Sequence, residues 1–143
     1  LQQLIENKNI NVDLISEKNI VKAYYDEDRI TQVLNNLLSN AIKFCPNQDG
    51  NITISIKESE TTIEVSVEDN GKGIDENDFE AIFDKFYQSS NQNIKKPVGS
   101  GLGLAICKKI IEHHRGEIWA ENAKNSGGRI TFTIPKYNRE TNT

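Results

Sequence analysis

Three groups of residues have types and spacings that could do chemistry. In "DRITQVLNNLLSNAIKF", Asn36, Asn40 and Lys43 stand at i, i+4 and i+7, so a helix would set them on one line along its surface. Asn35 would point away to solvent. Asparagine is a poor helix former, so two on one line weaken a helix unless something local uses them. Two amide oxygens suit a hard cation, and an adjacent ammonium suits phosphate charge. A solvated polar face fits the same pattern, and the stripe alone leaves both readings open.

In "TIEVSVEDNGKGI", Asp69 continues the alternation Ile63, Val65, Val67 and so follows the buried face of a strand. A buried carboxylate must find donors or be heavily penalised. Asn70-Gly71 is the usual hairpin dipeptide, but the residues after it read as helical rather than as a returning strand. Gly73 would let a flat ligand approach the backbone beside Asp69. The third group is "NIKKPVGSGLGLAICKK", in which Gly99, Gly101 and Gly103 run into a helix. No GK[ST] follows these glycines, and neither their G-x-G-x-G spacing nor the preceding "NIKKPV" fits the dinucleotide fingerprint. Glycines opening a helix still present free N–H groups and a positive dipole end, which suits phosphate.

The elements that must position these groups can be read from periodicity. Ile30, Val33, Leu34, Leu37, Leu38, Ala41 and Ile42 form a core-facing helix stripe over residues 28 to 44. Ile52, Ile54, Ile56 and then Ile63, Val65, Val67 alternate as half-buried strands. "DENDFEAIFDKF" reads as a short helix capped by Asp75. Leu102, Ala105, Ile106 and Ile110 make a second helix, ending at His113, His114 and Arg115 with Gly116 as its C′ glycine. "EIWAEN" and "RITFTIP" are the last strands, and the stretches Ile10 to Leu14 and Val21 to Tyr25 are further candidates. The breaker-rich gap at residues 88 to 101 is long enough to suggest a mobile functional loop. Helices and antiparallel strands on one sheet predict an α/β two-layer sandwich.

Composition narrows the function classes. With 143 residues the chain makes one domain with a single core. A net charge of -4 argues against a broad nucleic-acid-binding surface, and no apolar run approaches the roughly 20 residues of a membrane-spanning helix. No signal-peptide pattern is present. Methionine is absent even at position 1, so the chain is expected to be a piece of something longer. Cys45 and Cys107 read as buried, reduced thiols. The adjacent His113 and His114 cannot face one ligand together, which argues against a metal site made of side chains alone.

"QVLNNLLSNAIKF", "DNGKGI", "IFDKFYQ" and "GSGLGLAI", in this order, resemble the N, G1, F and G2 boxes of bacterial sensor histidine kinases. The match runs from Asp26 to Pro135. It implies the Bergerat ATP-binding fold of the GHKL superfamily, a mixed sheet packed on helices, shared with gyrase and mismatch-repair ATPases. On this resemblance Asp69 would accept from the adenine amino group, with Gly71, Gly73 and Ile74 beside the base and Phe44 walling the pocket. Asn40 and Asn36 would hold Mg²⁺ on the ATP phosphates, with Lys43 near them. These three are the candidate catalytic residues. Gly99, Ser100, Gly101, Leu102, Gly103 and Leu104 would form the hinge and phosphate cradle. Phe83, Phe86 and Tyr87 would anchor a lid over residues 88 to 101.

The resemblance has two departures. Gln88 stands where the family often has a basic residue, which leaves Lys85, Lys95 or Lys96 as substitutes. Gly127-Gly128-Arg129 stands where relatives often place Ser or Thr before the last strand. The hydrolysing relatives carry a glutamate at the position of Asn36, and an amide is no general base at neutral pH. This favours γ-phosphate transfer to an external histidine over hydrolysis, the alternative being a module that hydrolyses ATP or only senses it. The acceptor histidine is expected in a dimerisation domain of the same parent protein, with a response regulator downstream. The expected organisation is 1–15 as the end of a dimerisation helix, linker and first strand, 16–136 as the catalytic domain, and 137–143 as a tail. The fragment itself is expected to be soluble, monomeric and cytoplasmic, from a parent of open membrane attachment.

Overall fold

The computed structural model of the chain describes residues 10–16, 25–85, 103–124 and 127–136. Five strands form one sheet: β1 (Asn11–Ser16), β2 (Asn51–Glu58), β3 (Thr62–Asp69), β4 (Ile118–Asn122) and β5 (Gly128–Pro135), in the order β1-β2-β3-β5-β4. β1 runs parallel to β2, and every other neighbouring pair is antiparallel. Helices α1 (Glu27–Phe44) and α2 (Gly103–His113) pack on it, giving the expected two-layer α/β arrangement with a mixed sheet.

The core forms where the alternating strand residues meet the helix stripes. Ile52, Val65, Val67, Ile130, Phe132 and Ile134 are buried together with Val33, Leu37 and Ala41 of α1 and Ile110 and Ile111 of α2. The other register of the strands is polar. There Arg129 donates through Nε to Glu121 at 2.9 Å and through Nη1 to Glu68 at 3.4 Å, its neighbours in the strand pairing. These half-exposed pairs add little to stability, but they mark the face that looks away from the helices.

α1 begins as its sequence demands. The Asp26 carboxylate accepts from the Arg29 N–H at 3.2 Å, and Glu27 and Asp28 occupy the first turn near the positive dipole end. Of its expected stripe, Leu34 and Leu38 are partly buried and the other five residues are buried.

Three local expectations are corrected. The expected stripe of α2 ran through Ile106, yet Ile106 is 37% exposed. Ile110 of that stripe is buried and Cys107 is buried as expected, while Ile111 joins them with Leu104 packed on the core, so the face made by 104, 107, 110 and 111 is the one that meets α1 and the sheet. At the end of α2 the left-handed residue is Arg115 (φ 62), not Gly116. The Arg115 N–H donates to the Glu112 carbonyl and the Gly116 N–H to the Ile111 carbonyl, both at 2.9 Å, a Schellman closure one residue earlier than the glycine suggested. Residues after Gly73 form two 3-10 turns, Glu76–Asp78 and Ala81–Phe83, not one helix. Asp75 does cap the first, accepting from the Asn77 N–H at 3.0 Å. Acidic residues through to Asp84 oppose the dipole at a C-terminal end, which disfavours one continuous helix.

β1 pairs with β2 along its whole length, so the strand crosses the expected boundary at 15/16 and belongs to the same sheet. The other candidate strand, Val21 to Tyr25, falls outside the described residues except for Tyr25, as does the lid at 88–101 in its entirety.

Candidate functional site

Asp69 is the last residue of β3 and is 8% exposed. Two backbone N–H groups converge on its Oδ1, from Gly71 at 2.8 Å and from Gly128 at 3.4 Å. Among the described residues no donor reaches Oδ2. Burial pushes the Asp69 pKa up, and the Glu68 charge adds to the rise, while the Gly71 and Gly128 N–H groups pull against it. One oxygen is therefore committed to the fold, and the other is an acceptor whose desolvation a ligand donor would offset. A Cβ at Gly128 would stand 3.6 Å from Oδ2 and 3.0 Å from the Ile74 side chain, so the glycine keeps the space between them clear.

The C-terminal end of α1 adjoins this loop. A Cβ on Gly71 would collide with the Phe44 carbonyl, so the chain passes there only as glycine. Phe44 itself is 43% exposed. The Lys43 ammonium lies 5.5 Å from the Phe44 ring centroid, and partial burial lowers its pKa from the ordinary 10.5.

Two turns earlier, the half-buried Asn36 donates through Nδ2 to the carbonyl of Gly103, the first residue of α2, at 3.3 Å. Its Oδ1 remains an acceptor. Asn40, also half-buried, makes no side-chain hydrogen bond among the described residues. The expected amide stripe thus runs from the start of α2 toward the Asp69 loop. Gly103 and Leu104 open α2, with the Leu104 side chain against the core. Phe83 is buried. Phe86, Tyr87, Gly99, Ser100, Gly101 and Leu102 lie outside the described residues, as do Gln88, Lys95 and Lys96.

Three contributors were not legible in the motifs. The Gly127-Gly128 pair, noticed only for the Ser or Thr it lacks, supplies a donor to Asp69. Gly127 has φ 98, and a Cβ there would collide with the Asp69 carbonyl. Asn70 turns its side chain back on the loop after α1, donating to the Asp49 carbonyl and accepting from the Asn51 N–H, both at 2.8 Å. Asn122, at the end of β4, grips Ile74. A single polar residue at a strand end carries no signal of such a contact.

The family model "Histidine kinase-, DNA gyrase B-, and HSP90-like ATPase" matches residues 25–138. Sensor histidine kinase WalK of Bacillus subtilis (strain 168) is 46% identical over 112 residues, which cover 77% of this chain and 18% of that protein. The catalytic domain of histidine kinase ThkA is 37% identical with a TM-score of 0.80, over 94% of this chain and 86% of the solved one. ThkA in complex with response regulator protein TrrA is similar over 95% of this chain and 37% of that one, at 36% identity and a TM-score of 0.78. The chain thus spans under a fifth of the length of the WalK relative it matches.

Proposed function

This chain belongs to the family of histidine kinase-, DNA gyrase B- and HSP90-like ATPases, and from that premise we propose that it is the catalytic domain of a sensor histidine kinase, taking ATP into the slot between Asp69, Ile74 and the end of α1. It would pass the γ-phosphate to a histidine of a dimerisation domain outside these 143 residues. The observation that carries this reading is Asp69: a buried carboxylate with Oδ1 tied down by two N–H groups and space kept open beside Oδ2. An amino group on a flat base is the ligand chemistry that such an acceptor recognises.

The phosphate end would lie along α1. Asn40 and Asn36 present amide oxygens of the kind that hold Mg²⁺, and Lys43 follows on the same line. Mg²⁺, when bound, supplies neutralisation of phosphoryl charge. Asn36 cannot take a proton from water, and its Nδ2 is engaged by Gly103, so the chain orients phosphates without supplying a base. That supports transfer to an external nucleophile over hydrolysis. The known complex of the similar ThkA with a response regulator supports a response regulator as the downstream partner. Residues 16–136 together with β1 would be the catalytic unit.

The test has two stages. At about 100 times its Kd, Mg-ATP should stabilise the fold by roughly 2.7 kcal/mol. A thermal melt unmoved by millimolar Mg-ATP would sink the reading. Mixed with the dimerisation helices of its own parent, the chain should move radiolabelled γ-phosphate to acid-labile, base-stable protein phosphate. Fast ATPase turnover by the chain alone would establish the hydrolase instead. Tight binding without transfer would leave a module that only senses the nucleotide.

A further inference from the structure

Ile74 closes the loop that Asp69 opens, and one side chain holds its peptide. Asn122 accepts from the Ile74 N–H through Oδ1 at 2.7 Å and donates through Nδ2 to the Ile74 carbonyl at 2.7 Å. Both polar atoms of the amide thus act on one residue, as a strand residue acts on its hydrogen-bonded antiparallel partner. Among the described residues the Ile74 backbone has no other hydrogen-bond partner. The approach is close, since a Cβ at Gly73 (φ 85) would come within 2.9 Å of Asn122 Oδ1.

The position of Asn122 gives this contact its meaning. Asn122 is paired in register with Gly128, and the Ala123 N–H donates to the Gly127 carbonyl at 2.9 Å to close that end of the two strands. Gly128 in turn donates to Asp69 Oδ1. One rigid strand end therefore holds both sides of the loop, the carboxylate through Gly128 and Ile74 through Asn122. The strand pairing is complete without the Asn122 side chain, which is exposed; only the loop needs it.

We propose that Asn122 is a positioning residue for base recognition: its two-point grip on Ile74 sets the separation between the Ile74 wall and the Asp69 carboxylate, and so selects a flat base bearing an amino donor. The inference rests on the reading of this slot as the base end of an ATP site. It adds a residue from β4, outside the motifs that suggested that site.

The experiment compares wild type, Asn122→Ala and Asn122→Gln by calorimetric titration with ADP, GDP and inorganic tripolyphosphate, beside hydrogen exchange at the Ile74 amide. Asn122→Ala should weaken ADP about tenfold, as loss of about one net hydrogen bond's worth of positioning implies. It should also lower the preference for ADP over GDP, leave tripolyphosphate unchanged, and speed exchange at Ile74. Asn122→Gln, which keeps both groups on a longer arm, should recover part of the ADP affinity. Should Asn122→Ala not fold, Asn122→Asp retains the acceptor for the Ile74 N–H but faces its carbonyl with an oxygen, and should show the same selective loss. A folded variant that keeps wild-type ADP affinity, or loses ADP and tripolyphosphate equally, overturns the proposal. Wild type binding tripolyphosphate but no ADP would overturn the base-slot reading itself, and this inference with it.

Discussion

The Asn36 side chain donates to the Gly103 carbonyl oxygen at 3.3 Å, joining the middle of α1 to the first residue of α2 across 67 positions of sequence. The amide that we propose faces the phosphates is therefore also a tie between the two helices, with Nδ2 held and Oδ1 left as an acceptor. Asn36→Ala should lower stability in urea unfolding by about 1 kcal/mol, the usual worth of such a bond. Asn36→Asp, close in shape but with an oxygen facing a carbonyl, should cost at least as much. Equal unfolding midpoints for all three proteins would show that the tie contributes nothing.

Asp69→Asn should separate stability from recognition. The folded protein holds the Asp69 proton more tightly than the unfolded chain does, because burial raises the pKa above its ordinary 3.8. The stability this contributes is complete below pH 3.8 and is lost as pH rises through the raised folded value. An amide has no such dependence. The variant should therefore gain on wild type across that window and melt no lower at neutral pH without nucleotide, yet lose ADP binding. Parallel stability curves from pH 3 to 7 would contradict the assignment.

Lys43 and Asn40 should affect only the phosphate end. Lys43→Gln should weaken tripolyphosphate several-fold at low salt, with the difference shrinking at 1 M salt because Lys43 is only partly buried and salt screens its charge. Asn40→Ala should abolish most of the gain in ATP affinity that Mg²⁺ brings, while metal-free ADP binds as before. Titrations in EDTA and in Mg²⁺ give both readings.

Cys107 should be inert while the fold is closed. It is fully buried beside Val33, and burial pushes its pKa from 9.0 up to about 11. That shift alone lowers the thiolate fraction at pH 8 by about 100-fold. In a Cys45→Ala background, reaction with a thiol reagent should be slower than for a free thiol by at least that factor. It should reach the free-thiol rate in denaturant. Rapid labelling of the native protein would mean that α2 opens from α1 on its own.

Gly127→Ala should damage the fold and the Asp69 slot together. The new methyl group would meet a backbone of φ 98 and collide with the Asp69 carbonyl. A loss of about 1–3 kcal/mol is expected, with weaker ADP binding in whatever remains folded. Thermal melts with and without ADP measure both effects.

What the sequence determined follows from periodicity and from burial of apolar groups. The Ile30 to Ile42 stripe made α1 and so placed Asn36, Asn40 and Lys43 on one line. The alternation through Val67 carried Asp69 to the buried face, where its exposure is 8%. These are properties of single segments, and each segment carries its own record of which side meets the core.

The tertiary structure alone decided what stands beside those residues. Asp69 takes a hydrogen bond from Gly128, 59 positions away, because β5 lies between β3 and β4 in the sheet. Ile74 is gripped by Asn122 because the same insertion brings the end of β4 beside the loop. The exposure of Ile106, at 37%, was likewise settled by how α2 meets α1 and the sheet. None of these contacts has a local signature, because a donor at a strand end or a face of a short helix is assigned only when packing selects its neighbour.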